Sequence, residues 1–292
     1  MRGAAVGWDA ASGAVSVGFV GRSLAAVRAL EVTELDRDSQ PVWTLERVKG
    51  AELLWGPDAT GPSAPAWMVD AVRQFGLGPA RSVLDLTAGL GGAARAIAGT
   101  YDTWVTGLEP SPVLAAMAML RSKAAGLSKK APVTSYDPEH FAQAGLFDLI
   151  YGDRLLHRVR DKGFFLDKMG DCVKEKGGVL MFDYVIDGAP QSWDAWNRWR
   201  GVESSDVSPW SAQRFADELV QRNFDVRVTE DMTELHRRQI LDRVERLSEA
   251  LNTVDPESGL LSAIARELAL WWARLKVLGH GLNFFRFVAY RA

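Results

Sequence analysis

The sequence predicts an α/β fold: a doubly wound, mostly parallel sheet of seven strands, with helices before it and a helical insertion near its end. Three observations carry this. The run Val83-Leu84-Asp85-Leu86-Thr87-Ala88-Gly89-Leu90-Gly91-Gly92 passes from an apolar strand through small residues into Ala93–Ala98, a good helix-former. Short apolar runs then alternate with helical patterns as far as Val228, the order expected of strands joined by helices. Two long helical patterns follow, and a last strand-like run, Phe284–Tyr290, closes the chain.

With 292 residues the chain can form one large α/β domain with additions, and length alone leaves two domains open. Apolar residues make up 47% and charged residues 24%, an ordinary globular composition, and the net charge of −3 gives no bulk basic field for nucleic acid. Cys172 is the sole cysteine, so neither an intrachain disulfide nor a cysteine zinc site is expected, no metal site is read, and a reducing, cytoplasmic setting fits. Met1–Val6 has the basic residue of a signal peptide's start. Asp9 and the Gly and Ser content then interrupt any apolar core, so no signal peptide is expected. No apolar run reaches the ~20 residues of a membrane span.

Residues 1–63 read as an N-terminal arm and lid. Ala14–Val20 suits a strand and Ser23–Leu30 a short helix. Trp43–Trp55 has helical periodicity, with Trp43, Val48, Ala51, Leu53 and Leu54 on one broad face and Glu46, Arg47, Lys49 and Glu52 polar. Gly56-Pro57 stops this helix, and a Gly/Pro/Ser loop leads to a second, Ala64–Phe75. Trp43, Trp55 and Trp67 either pack these helices on the core or form an aromatic cover that keeps water from a reaction site.

Residues 64–292 read as the main domain. Ser82–Leu86 and Thr103–Leu108 are strands one and two; Ser111 caps helix Pro112–Ala125, with proline at its first position. Pro132–Ser135 is strand three, ending at Asp137-Pro138. Phe147–Tyr151 is strand four. After it, Asp153 and His157 stand four residues apart and share a face if that segment is helical. Gly178–Phe182 is strand five, closed by Asp183-Tyr184. Trp193, Trp196 and Trp199 follow helical spacing, with Arg198 and Arg200 interleaved and Trp210 beyond; they suit core packing or a cation- or anion-binding surface. Helix Ser211–Arg222 and strand six, Phe224–Val228, come next. Thr233–Leu251 and Leu260–Leu278 form a helical hairpin inserted at about 232–279. Its stripes are Leu235, Leu241, Val244, Leu247, Leu251 and Leu261, Ile264, Leu268, Trp271, Leu275, while His236, Arg237, Arg238, Arg243 and Arg246 are assigned to a solvated face.

The Gly-rich turn after strand one is the natural ligand site. Glycine admits positive φ and close approach, and the next helix opens with unpartnered N–H groups. Neither G-x-G-x-x-G nor a terminal G-K-[ST] is present. Instead Asp85 ends strand one, and Glu109 ends strand two about 20 residues past Gly89, where a ribose-binding carboxylate is expected. One carboxylate suits a ribose diol and the other an amino-acid ammonium. S-adenosylmethionine carries both groups. The cofactor set is then Asp85, Thr87, Gly89, Gly91, Glu109 and Pro110, with Asp137-Pro138 for the adenine amino group and Asp153 at the same edge. Asp137 equally suits a helix N-cap.

"VLDLTAGLGG" followed by "VTGLEPS" resembles the first two motifs of class I S-adenosylmethionine-dependent methyltransferases, with Thr87 where glycine is usual. That resemblance, over about residues 64–230 and the last strand, implies the Rossmann-like methyltransferase fold, with the last strand antiparallel between strands five and six. Within the class, "LLWG", "DLIYGDRLLH" and "MFDY" are similar to the phosphoethanolamine N-methyltransferase group. There the residues matching Asp153, His157 and Tyr184 surround the amine. The arginine and tyrosine that hold phosphate in that group would fall near Ser205 and Val207 and do not match. A different, more apolar acceptor pocket, with Trp43, Trp55, Trp199, Arg200 and Trp210, is expected instead.

The resemblance thus implies methyl transfer to a small molecule at an amine or hydroxyl, leaving S-adenosylhomocysteine, with His157 as base, oriented by Asp153 or Tyr184. The rival reading is a cofactor-binding regulatory protein without methyl transfer. In it the arm or hairpin makes an oligomer contact. An RNA or protein methyltransferase ranks last, since no basic tract or appended recognition domain is present. The acceptor's identity is open.

Overall fold

The computed structural model describes residues 27–36, 39–251 and 258–292. The strand expected at Ala14–Val20 and most of the helix expected at Ser23–Leu30 lie outside the described residues; residues 27–30 are helical.

Seven strands form one sheet: β1 Ser82–Asp85, β2 Trp104–Glu109, β3 Val133–Ser135, β4 Phe147–Asp153, β5 Val173–Ile186, β6 Phe224–Asp231 and β7 Leu282–Arg291. The order is β3-β2-β1-β4-β5-β7-β6, with β7 antiparallel to both its neighbours and β1 to β5 mutually parallel. The chain winds outward from β1 to β3, then returns to place β4 on β1's other side. That reversal opens a crevice at the C-terminal ends of β1 and β4, where the next loops diverge.

Successive strand residues face opposite sides of the sheet. Val83, Leu149, Leu180 and Phe182 enter one core; Leu84, Ile150, Val179 and Met181 enter the other. The nine helices numbered here are α1 Leu45–Trp55, α2 Pro65–Val72, α3 Gly92–Tyr101, α4 Pro112–Ala124, α5 Lys162–Asp171, α6 Trp193–Val202, α7 Ala212–Gln221, α8 Thr233–Leu251 and α9 Ser258–Val277. Side-chain caps from Thr44, Ser111, Asp161, Ser192 and Ser211 start α1, α4, α5, α6 and α7, each accepting from a backbone N–H three residues on. The first core takes α2, α3 and the α8–α9 hairpin; the second takes α5 and α7.

Three expectations need correction. The segment after β4 is a series of turns, not a helix. Arg154 takes φ +58, which stops helical continuation, and the Asp183 carboxylate collects the N–H groups of Leu155 and Leu156 instead. Strand β5 begins at Val173, not Gly178; its register shifts between Phe147 and Leu149, and Lys174 reaches back to Asp148 at 2.7 Å. In the hairpin, Leu235, Leu241 and Leu261 are exposed, while Thr233, His236, Ile240, Leu247, Glu267, Trp271 and Arg274 are buried. The hairpin docks on α1 and α6, and ion pairs such as Arg47–Glu267 at 2.5 Å bring charged positions inside.

Candidate active site

At the end of β1, Asp85 is wholly buried. Its carboxylate accepts the Thr87 N–H at 2.9 Å and the Tyr151 hydroxyl at 2.5 Å. Thr87 turns its hydroxyl away along the sheet edge, where it accepts the Asp153 N–H at 2.8 Å and ties β1 to β4. The chain then passes through Gly89 and Gly91, both left-handed (φ +55 and +77), a conformation glycine adopts without strain. Gly92 has another reason: a Cβ there would lie 2.7 Å from Asp58, with its backbone oxygen at the same distance. Glu109, at the end of β2, receives the Gly89 N–H at 2.7 Å and the Ser111 N–H at 2.9 Å.

These acids crowd together. Burial pushes Asp85 up to about 7, outweighing its hydrogen bonds, and the charge of Asp153 adds to the rise. Burial likewise pushes Glu109 up to about 7, with Glu34 and Asp85 adding repulsion. Glu34 is itself raised by burial, and its buried Oε2 has no partner among the described residues. A turn lined by carboxyl groups, with glycine at 89 and 91, fits a ligand that carries a diol and positive charge. Glu34 was missed from the sequence because it lies far from the motif and no spacing links it to Glu109.

Beside this turn, at the ends of β4 and β5, lies a second buried polar group. His157 Nδ1 is 2.6 Å from Asp183 Oδ1. A carboxylate can only accept, so the ring proton is assigned to Nδ1 and Nε2 keeps its lone pair. Nε2 is buried and has no partner among the described residues. Burial lowers the His157 pKa, against the pull of Asp183, so the ring is neutral near pH 7. Tyr184 meets His157 edge-on at 5.0 Å between ring centroids, and burial pushes its hydroxyl up to about 12. Asp153 Oδ2 takes Arg154 at 2.7 Å, while its Oδ1 is buried and unpartnered among the described residues. Glu203 receives Arg274 through two bonds at 2.7 and 2.8 Å, Arg158 at 3.0 Å and the Trp199 indole at 2.8 Å. Burial alone would raise Glu203, but Arg274 and Arg158 outweigh it and hold the carboxyl well below its usual range.

The predicted residues divide accordingly. Asp85, Thr87, Gly89, Gly91, Glu109 and Pro110 come together around the turn, with Asp153 beside them. Asp137 caps the short 3-10 turn Pro138–His140 through the Glu139 N–H at 2.9 Å and pairs with His140, so it has local partners. His157 is oriented by Asp183, not by Asp153 or Tyr184, because the turn at Arg154 aims its ring at β5. Trp55 is buried edge-on against Trp271 at 4.6 Å, and Trp199 is buried against Trp196. Trp43 is half-buried under Arg47. Arg200 is exposed, since the helical step from Trp199 turns it away from the buried face. Trp210 packs against the other core, under Arg214 and Lys162. The five residues expected to form the acceptor pocket are therefore not gathered in one place. His236 and Arg274, assigned to a solvated face and passed over respectively, are buried beside Tyr184. The missed signal was spacing: 236, 240, 244 and 247 share a helical face.

A family model described as a methyltransferase domain matches residues 64–228, more than half of the chain. Phosphoethanolamine N-methyltransferase 1 of Arabidopsis thaliana is 28% identical over 184 residues, which are 61% of this chain and 36% of that protein. The wheat (Triticum aestivum) enzyme of the same name is 29% identical over 166 residues, 56% of this chain and 32% of that one. The chain thus spans about a third of the length of these plant relatives. Among solved structures, Haemonchus contortus phosphoethanolamine N-methyltransferase 2, in complex with phosphomonomethylethanolamine and S-adenosylhomocysteine, superimposes with a TM-score of 0.73. It is 18% identical, over 91% of this chain and 60% of that one. At that identity the likeness is one of fold.

Proposed function

The chain belongs to the methyltransferase-domain family, and on that premise we propose that it transfers the methyl group of S-adenosylmethionine to an amine or hydroxyl of a small molecule. The observation that carries this reading is His157: a buried neutral imidazole, held by Asp183, with Nε2 free beside a carboxylate-lined glycine turn. When bound, S-adenosylmethionine supplies a methyl group already activated on a sulfonium. Glu109 is suited to take the ribose hydroxyls, and Asp85 and Glu34 to balance the positive charge of the ammonium and sulfonium. Thr87 holds the β1 and β4 ends in register through the Asp153 N–H. His157 Nε2 removes the proton of the acceptor, and Asp183 Oδ1 stabilises the imidazolium that results. The neighbouring aromatic rings, Trp55, Trp271 and Phe284, exclude water. Two nearby arginines support an acceptor without phosphate, since Arg154 is already paired with Asp153 and Arg274 with Glu203.

The test is transfer of radiolabel from S-adenosylmethionine into a small-molecule extract, followed by fractionation. Wild type should label small amines or alcohols. His157→Ala should lower the rate by about 100-fold or more, with S-adenosylhomocysteine affinity, read by calorimetry, unchanged within about twofold. Glu109→Ala should do the reverse, weakening that affinity by about 10- to 100-fold through loss of charge-assisted hydrogen bonds. Tight cofactor binding with no labelled product from any pool would favour the regulatory reading.

A further inference from the structure

His236 is unused by the proposed function, yet it is built into the same interior. It comes from α8 in the insertion, is 1% exposed, and lies flat on Phe284 with centroids 3.9 Å apart. Its Nε2 is 3.1 Å from the Tyr184 hydroxyl, and its Nδ1 is buried without a partner among the described residues. Packing alone would be served by Leu or Phe. A buried imidazole with one nitrogen unmet has given up hydration and received nothing for it. The same holds nearby for His157 Nε2, Asp153 Oδ1 and Trp55 Nε1. These residues surround one aromatic set: Tyr184 touches both histidines, and Trp271 touches His236, Trp55 and the Arg154 guanidinium. Four buried polar atoms without partners among the described residues thus stand around two aromatic rings, at separate points of one interior.

We propose that His236 is a second acceptor-binding residue, whose Nδ1 hydrogen-bonds an oxygen of the methyl acceptor while the group to be methylated lies at His157. This rests on the methyltransferase reading and deepens it. The acceptor has an apolar, ring-sized body, a methylatable amine or hydroxyl at one end and an oxygen function at the other. In this proposal the Tyr184 O–H donates across the 3.1 Å contact to Nε2 of His236, and the ring proton sits on Nδ1 as the donor to the acceptor's oxygen. Burial, with Arg154 and Arg274 close by, opposes a charge on this ring and keeps it neutral. Specificity for the acceptor's far end then comes from the insertion, not from the sheet.

Calorimetry on the protein loaded with S-adenosylhomocysteine tests this with two probes, tyramine and phenethylamine, which differ by one hydroxyl. Wild type should bind tyramine about tenfold more tightly. His236→Phe keeps the stacking on Phe284 but removes both ring nitrogens, and it should abolish the difference. His236→Asn, which restores a donor, should recover part of it. S-adenosylhomocysteine affinity should stay within about twofold in both. Equal binding of the two probes by wild type, binding of neither, or a preference that survives His236→Phe overturns the inference and leaves methyl transfer standing. A wild type that does not bind S-adenosylhomocysteine overturns the methyltransferase reading, and this inference with it.

Discussion

Single residues in this protein do chemistry only because of what holds them. Asp183 accepts from His157 and from the backbone of Leu155, Leu156 and Tyr184, so one carboxylate fixes both the ring and the loop that carries it. Asp85 shows the opposite economy, a carboxyl group kept dry at the end of β1. Its ordinary value is 3.8, and burial pushes it to about 7 in the folded chain. Between these values the folded chain holds a proton that the unfolded chain has released. The stability from this group is therefore complete below about pH 4 and is lost as pH rises to about 7. Buried His157 and His236, with lowered values, work the other way below 6.5, so the informative measurement is a difference. Asp85→Asn should gain on wild type in cofactor-free thermal melts as pH rises from about 4 to 7. Above pH 7 it should melt about 2–4 °C higher while binding S-adenosylhomocysteine more weakly.

At the level of elements, the strand–turn–helix unit depends on close approach as much as on backbone freedom. A Cβ on Gly92 would lie 2.7 Å from Asp58, on the connection between α1 and α2, and 2.8 Å from Pro65, the first residue of α2. Gly92→Ala should cost about 1–3 kcal/mol by overpacking, read by denaturant unfolding, and should also weaken cofactor binding because the helix N-terminus must shift. The hairpin is anchored by Trp271, which is 1% exposed and packs on Trp55, His236 and Arg274. Trp271→Ala should destabilise by about 3–5 kcal/mol. If the hairpin unfolds alone, a separate early transition will appear in the melt, and the probe-binding site will be lost before the cofactor site.

Over the whole molecule, the sheet edge and the insertion are joined by buried charge. Glu203, at the end of α6, holds Arg274 from α9 and Arg158 from the loop after β4. Glu203→Gln leaves buried Arg274, with half-buried Arg158, beside a neutral partner and should cost about 3–5 kcal/mol. A chemical-unfolding curve would show this as a lower midpoint, and a loss under about 1 kcal/mol would mean that water reaches the site. Arg47–Glu267 makes a similar joint between α1 and α9.

The sequence by itself determined the alternation of strands and helices, the glycine turn with Asp85 and Glu109 at successive strand ends, and the two helices of the insertion. These are local patterns: a period of two or 3.6, a cap, a stop and a fixed spacing along one chain. Only the tertiary structure decided which partner orients His157, where β5 begins and which face of the hairpin is buried. Asp183 lies 26 residues from His157, and Glu203 lies 71 from Arg274. No periodicity links such pairs; the winding of the sheet brings them together. His236 shows the boundary most clearly. From sequence it is assigned to a solvated face although 236, 240, 244 and 247 share one side of the helix, and only docking of the hairpin shows that side to be interior.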